Sequence, residues 1–206
     1  MRTDTIESFL TQLAARVPAP GGGATAALHA AQAAALVAMV ARYSDAAKFA
    51  DHADEIATIT ATADRLRENA LGLAEDDAAA FTEVTKAYGL PKGTSEEVAA
   101  RSAAIAQALV AAAHVPAIVI SVAEHVLSLA EELLPIGNRN VISDVAAAAE
   151  AARAAATTAR VNVEINLGGI KDPATWGELA LVAGTVDDLV LRADKVTAAV
   201  RDGLVR

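Results

Sequence analysis

The sequence predicts an all-α fold, a single-domain bundle of long antiparallel helices over residues 1–206. Three observations predict it. Apolar residues recur at spacings of three and four over long stretches, and capping pairs, glycine and proline bound those stretches. No segment has strand period except the short run Val161–Asn166, which continues a helical pattern without a break. Hydrophobic residues make up 54% of the chain but aromatics only 3%, so the core must be built from Ala, Val, Leu and Ile on closely packed helices.

Taken in order, Asp4 and Glu7 read as a capping pair. Ile6, Phe9, Leu10 and Leu13 then follow at helical spacing in a first helix that stops before Pro18. The segment VPAPGGGATAAL (17–28) leads into a nearly continuous apolar helix that runs to about Tyr43, interrupted by Thr25, His29 and Gln32. Its alanine-rich composition and its length, at the lower limit of the ~17 to 25 residues that span a bilayer, mark it as a buried central helix; no other stretch is expected to compete as a span. A polar break from Ser44 to Asp51 precedes a long helix ending at about Tyr88, where Gly89, Leu90, Pro91 and Gly93 stop it.

Thr94 and Glu97 form a capping box for a helix running through Ser102, Ile105 and Leu109 to His114. Pro116 then marks either a kink or the first residue of a new helix carrying Val119, Val122, Val126 and Leu133. After the loop PIGNRN, Ser143 is expected to cap a helix running to Leu167, ended by Gly168 and Gly169. Asp172 as N-cap and Pro173 in the first turn start one terminal helix with Trp176, Leu179, Val186, Leu189 and Val196 on its apolar side.

Composition narrows the function. The formal charge is −9 and the basic residues are scattered, which argues against binding nucleic acid or an anionic membrane. With no cysteine, disulfides and thiolate metal sites are excluded. Arg2, Asp4 and Glu7 lie within an amphipathic pattern rather than a signal peptide, so a cytoplasmic protein is expected. His29, His52, His114 and His125 lack the spacing of a zinc helix or a di-iron bundle, no metal is expected, and His29 reads as a core histidine with a hydrogen-bond partner.

Gly21, Gly22 and Gly23 contribute nothing to a core. Either something approaches their backbone closely, or the chain turns there with positive φ in a tight interhelical loop. A phosphate loop is excluded, since no Gly-Lys-Ser/Thr follows and no strand precedes.

In the long third helix the seam Ile56, Ile59, Ala63, Leu66, Ala70, Leu73, Ala80, Val84 and Ala87 is completed between Leu73 and Ala80 by Asp77. An ionised carboxylate on a buried seam costs several kcal/mol unless bonded or paired. Asp77 is therefore either a satisfied core acid or a general acid or base tuned by burial; Asp76 lies at the edge of the stripe. A second polar cluster, Asn138, Arg139, Asn140, Ser143 and Asp144, offers amides to a heteroaromatic ligand or ordinary capping. Asn162 and Asn166 share a helix face, as a ligand-binding pair or as a buried amide pair linking two helices. Asp144 and Asn162 stand roughly 27 Å apart along one helix, so they cannot both touch one reacting atom.

Several fragments together resemble the cyclodeaminase/cyclohydrolase family of folate enzymes. They are PAPGGGATAAL, AEDDAAAF at Ala74–Phe81, AYGLPKGTSEE at Ala87–Glu97, the Val115-Pro116 pair, GNRNVISDVAAAA from Gly137 and NVEINLGGIKD from Asn162. The resemblance implies an all-helical homodimer acting on a tetrahydrofolate one-carbon derivative as substrate, with no metal or separate cofactor. The resemblance also implies that the aspartate four residues before the Phe of the family's D-A-x-A-F pattern, here Asp77, is the catalytic acid. Gly21–Gly23 would admit a flat ring system, Asn138, Asn140, Asp144, Asn162 and Asn166 would contact substrate, and Lys48 and Lys92 are the expected cations for its glutamate tail. Ala24 stands where the family usually has Ser, and Ala46-Ala47 where it has Gly-Lys, with Lys48 one residue further on. Without a formiminotransferase domain in the chain, the expected reaction is that of a methenyltetrahydrofolate cyclohydrolase; the alternatives are a formimidoyltetrahydrofolate cyclodeaminase and a non-catalytic folate-binding or scaffold dimer.

Overall fold

The computed structural model describes residues 1–204, and within them the expected all-α architecture holds. The α-helices are α1 (Ile6–Ala14), α2 (Gly22–Arg42), α3 (Ala53–Tyr88), α4 (Ser95–Ile136), α5 (Ser143–Leu167), α6 (Pro173–Gly184) and α7 (Val186–Leu204). Short 3₁₀ turns at Ala47–His52 and Arg139–Val141 join α2 to α3 and α4 to α5. The Val161–Asn166 run is the last part of α5.

Helix α2 is the central element and packs against α3, α4 and α5. Its buried face is almost all alanine, including Ala26, Ala27, Ala30, Ala33 and Ala34, and it meets the equally alanine-rich stripe of Ala148, Ala152, Ala155 and Ala159 on α5. Small side chains let helix axes approach closely and replace bulk with contact. Larger residues such as Ile59, Ile120, Leu127, Leu133 and Leu189 close the core around this spine.

Helices α3 and α4 extend past the bundle as a two-helix arm. Between Glu75 and Ala112 the only buried residue is Ala87, although Phe81, Tyr88, Leu90 and Val98 are apolar and exposed.

Four sequence expectations change, and one of the two alternatives at Pro116 falls. The cap of α1 is Thr5 rather than Asp4, with its hydroxyl accepting the Ser8 N–H at 3.1 Å. Pro116 begins no new helix: α4 runs 42 residues through it, and buried neighbours Ala117, Val119 and Ile120 hold the helix across the missing N–H. Ser143 is the first residue of α5 and caps nothing with its side chain; the position before it is Ile142. The terminal helix is two helices divided at Thr185, after Gly184, where Asp187 and Asp188 favour a fresh N-terminus. Finally, a window of α4 is also long and apolar enough to cross a membrane, with a mean hydropathy of 2.0, so α2 is not alone in that respect. The capping box of Thr94 and Glu97 and the Asp172 cap before Pro173 form as expected.

Candidate active site

Residues far apart in sequence meet at the N-terminus of α2. Helices α2 and α3 pack along their lengths and the chain reverses between them, so the start of α2 lies against the later part of α3. The seam predicted on α3 is buried at Ile56, Ile59, Ala63, Ala70 and Leu73, and Asp77 follows half-buried one turn on, where the arm begins. Asp76 is exposed.

The Asp77 carboxyl group rests on Gly23. A methyl group added at Gly23 would lie 2.0 Å from Oδ1, 2.5 Å from Cγ and 2.7 Å from Oδ2, so no residue with a side chain fits there without moving the acid. No glycine among the described residues has positive φ. Of the two readings of the triple glycine, close approach accounts for Gly23, and the approaching group is the protein's own carboxylate. Gly21 is the N-cap, extended and without a side-chain cap, while Gly22 and Gly23 already belong to the first turn of α2.

Burial raises the Asp77 pKa above the ordinary carboxylate value, and the nearby Ala24 backbone N–H acts in the opposite direction. No lysine or arginine pairs with it among the described residues. A carboxyl group whose pKa is raised by burial and that has no permanent counter-charge suits general acid–base work. Ala24 enters through its backbone, which no residue-type signal in the sequence announces.

Asn162 reaches the same place from α5, its Nδ2 3.7 Å from the position a side chain at Gly22 would take. That nitrogen donates to the Thr158 carbonyl at 2.8 Å, and Asn166 Nδ2 donates to the Asn162 carbonyl at 2.7 Å. The pair does not link two helices; each amide folds back on the α5 backbone, and Asn162 alone does so beside the glycines.

The other predicted site residues lie elsewhere. Lys48 is exposed in the first 3₁₀ turn with its amine 4.7 Å from the Phe49 ring centre, and Asn138 packs on the C-terminus of α2. That end is roughly 28 Å along α2 from Ala24. Asn140 and Asp144 flank the start of α5 at this far end. Lys92 sits in the turn at the tip of the arm. Within one chain, therefore, Gly21–Gly23, Asp77 and Asn162 form one group, with Asn166 one turn further along α5, and Lys48, Asn138, Asn140 and Asp144 form another. No three His, Asp or Glu side chains converge on a point that could hold a metal among the described residues. His29 is half-buried beside α1 and makes no hydrogen bond to a described residue, unlike the satisfied core histidine expected.

The family model for formiminotransferase-cyclodeaminase matches residues 5–182, a range that contains every residue of this site. The chain belongs to the formiminotransferase-cyclodeaminase family. It is 41% identical over 172 residues, 83% of each chain, to a methenyltetrahydrofolate cyclohydrolase of Methylorubrum extorquens. It is 33% identical over 173 residues to the formimidoyltransferase-cyclodeaminase of Mus musculus, covering 82% of this chain but 31% of that longer protein. The crystal structure of formiminotetrahydrofolate cyclodeaminase from Thermotoga maritima superimposes with a TM-score of 0.87 at 29% identity, over 100% of this chain and 99% of that one. This family member thus shares its helical frame across its whole length with a solved relative.

Proposed function

We propose that the protein is an enzyme of folate one-carbon chemistry, a methenyltetrahydrofolate cyclohydrolase converting 5,10-methenyltetrahydrofolate to 10-formyltetrahydrofolate, with Asp77 as its acid–base group. The observation that carries this reading is the half-buried Asp77 carboxyl on Gly23, its pKa raised by burial, in a chain similar to a cyclohydrolase over most of its length. Water adds to the cationic carbon bridging N5 and N10 while the Asp77 carboxylate accepts one of its protons. The bond from that carbon to N5 then breaks, N5 keeps the electron pair and takes the proton from Asp77, and the remaining water proton leaves to solvent. The formyl group stays on N10. A carboxylate beside the bridge also stabilises the positive charge of the starting amidinium.

In this reading the tetrahydrofolate derivative is substrate and no separate cofactor takes part. Gly21 and Gly22 leave the backbone open to a flat ring, and the Asn162 and Asn166 amides contact its edge. The protein works as a cytoplasmic homodimer in which a second copy covers apolar residues of the arm, such as Phe81 and Leu90. A monomeric mass at micromolar concentration would overturn the assembly.

The likeness to the Thermotoga maritima cyclodeaminase over both full chains supports a second reading, attack of N10 on a formimino carbon carried by N5 with loss of ammonia. An assay of both substrates decides. Methenyl absorbance falls if the protein is a cyclohydrolase and grows if it is a cyclodeaminase; binding of a folate analogue without turnover of either substrate would overturn both.

A further inference from the structure

We propose that the cleft between α1, α2 and α3 is the subsite for the p-aminobenzoyl arm of the folate whose reacting carbon Asp77 serves; this rests on the reading above. The cleft holds about 450 Å³ and its walls are Phe9 and Leu13 of α1, Leu28 of α2 and Leu71 of α3. That size and apolar lining suit an aromatic ligand segment. It begins at Thr25 and Ala74, the first next to Ala24 and the second one turn before Asp77, so a ligand with its reacting carbon at Asp77 continues directly into it.

The polar groups in this cleft have an order. Thr25, His29 and Gln32 interrupt the apolar sequence of α2 at spacings of four and three, and all of them line this one cavity. The row covers about 10 Å along the helix, the reach of a benzoyl ring and its amide. The Thr25 hydroxyl is spent on the Gly21 carbonyl at 2.9 Å, whereas His29 and Gln32 make no hydrogen bond to a described residue and face the ligand space. Arg67 stands at the far end, joined to Asp64 at 3.4 Å and Glu68 at 3.0 Å. Helix α1 roofs the cleft without a single buried residue, so it opens without unpacking the core.

The test fills the cleft. For Leu28→Trp, KM for the folate substrate and the inhibition constant of free p-aminobenzoyl-glutamate are expected to rise together by about tenfold or more, with kcat moving far less. His29→Ala, which enlarges the cleft instead of filling it, is expected to raise both constants in the same sense and guards against a Leu28→Trp protein that fails to fold. Unchanged constants in a folded variant overturn the subsite. So does a change in oligomer mass in Leu28→Trp with KM unaltered, which would make the cleft a surface between copies. If neither folate is turned over, the proposed reaction falls, yet calorimetry with p-aminobenzoyl-glutamate still decides the cleft: binding lost in Leu28→Trp sustains it, and absence of binding to the unaltered protein overturns it.

Discussion

The two ends of α2 carry similar polar residues and use them in opposite ways. At the C-terminal end every group of Asn138 is consumed. Its backbone N–H donates to Ser44 Oγ at 2.9 Å, its Nδ2 to the Tyr43 carbonyl at 2.7 Å, and its Oδ1 accepts the Asn140 N–H at 3.1 Å. Ser44, the one buried polar side chain among the described residues, donates its hydroxyl proton in a hydrogen bond to the Val40 carbonyl at 2.8 Å. The result is a latch that ties the start of the α5 segment to the end of α2. At the N-terminal end, Asp77 is set against a glycine with a single backbone N–H to offset its burial and no cation among the described residues. A polar cluster that satisfies itself holds the fold together, and one left partly unsatisfied retains free energy for a ligand.

The largest effect is expected at the unsatisfied end. Asp77→Asn keeps the shape and removes proton transfer, so turnover should fall by roughly 10² to 10⁴ while the fold survives. Asp76→Asn, on an exposed position one residue away, should leave turnover nearly intact. Equal losses at the two positions in a steady-state assay would erase the distinction between the ends. Next comes Gly23→Ala. Its methyl group would fall 2.0 Å from Asp77 Oδ1, so the carboxylate must shift by an ångström or more, which costs about 10² in rate where geometry sets the chemistry. The loss should appear in kcat rather than KM, with a displaced acidic limb in the pH profile. A Gly23→Ala protein of normal kcat would show that the acid need not stand on that glycine.

Much of this is legible in the sequence. The three-and-four spacing on α3 singled out Asp77, because a helix period is local and an acid that breaks it is visible in sequence. The Thr94 capping box and the Asp172-Pro173 start are likewise complete within four residues. What could not be read is pairing across helices. Gly23 and Asp77 are 54 positions apart and Asn138 and Ser44 are 94 apart, so neither the contact that explains the triple glycine nor the latch that uses up Asn138 leaves a local trace. For the same reason Lys48 and Asn138 grouped with Asp77 by residue type, although the length of α2 separates them. The break at Thr185 leaves no local trace either, because the apolar stripe continues from Leu179 to Val186 and Leu189 across it.

At the satisfied end the expected effect is on stability. Asn138→Ala removes the amide that donates to Tyr43 and accepts from Asn140, and should destabilise the protein by about 1 to 3 kcal/mol, read from urea unfolding. The constant kcat/KM should stay within error of the unaltered protein. A loss of activity without a loss of stability would move Asn138 from the latch into the chemistry.

The smallest effect returns to Asp77 and tests the physical state of its carboxyl group apart from catalysis. Its pKa is raised in the folded protein, chiefly by burial, so the folded state holds the proton more tightly than the unfolded chain does. Well below the unfolded value near 3.8 the group is protonated in both states and carries no penalty. As pH rises through that value the unfolded chain ionises first, and stability is lost until the folded group also ionises, above its raised pKa. Asp77→Asn cannot ionise and escapes this loss. The melting temperature of Asp77→Asn minus that of the unaltered protein should therefore increase from mildly acidic pH upward and level off once the folded carboxyl has titrated. For the exposed Asp76→Asn, the same difference should stay nearly flat. A difference at Asp77 that shrinks as pH rises would mean that the folded protein favours the carboxylate, and the two ends of α2 would then differ in their partners but not in how well those partners satisfy them.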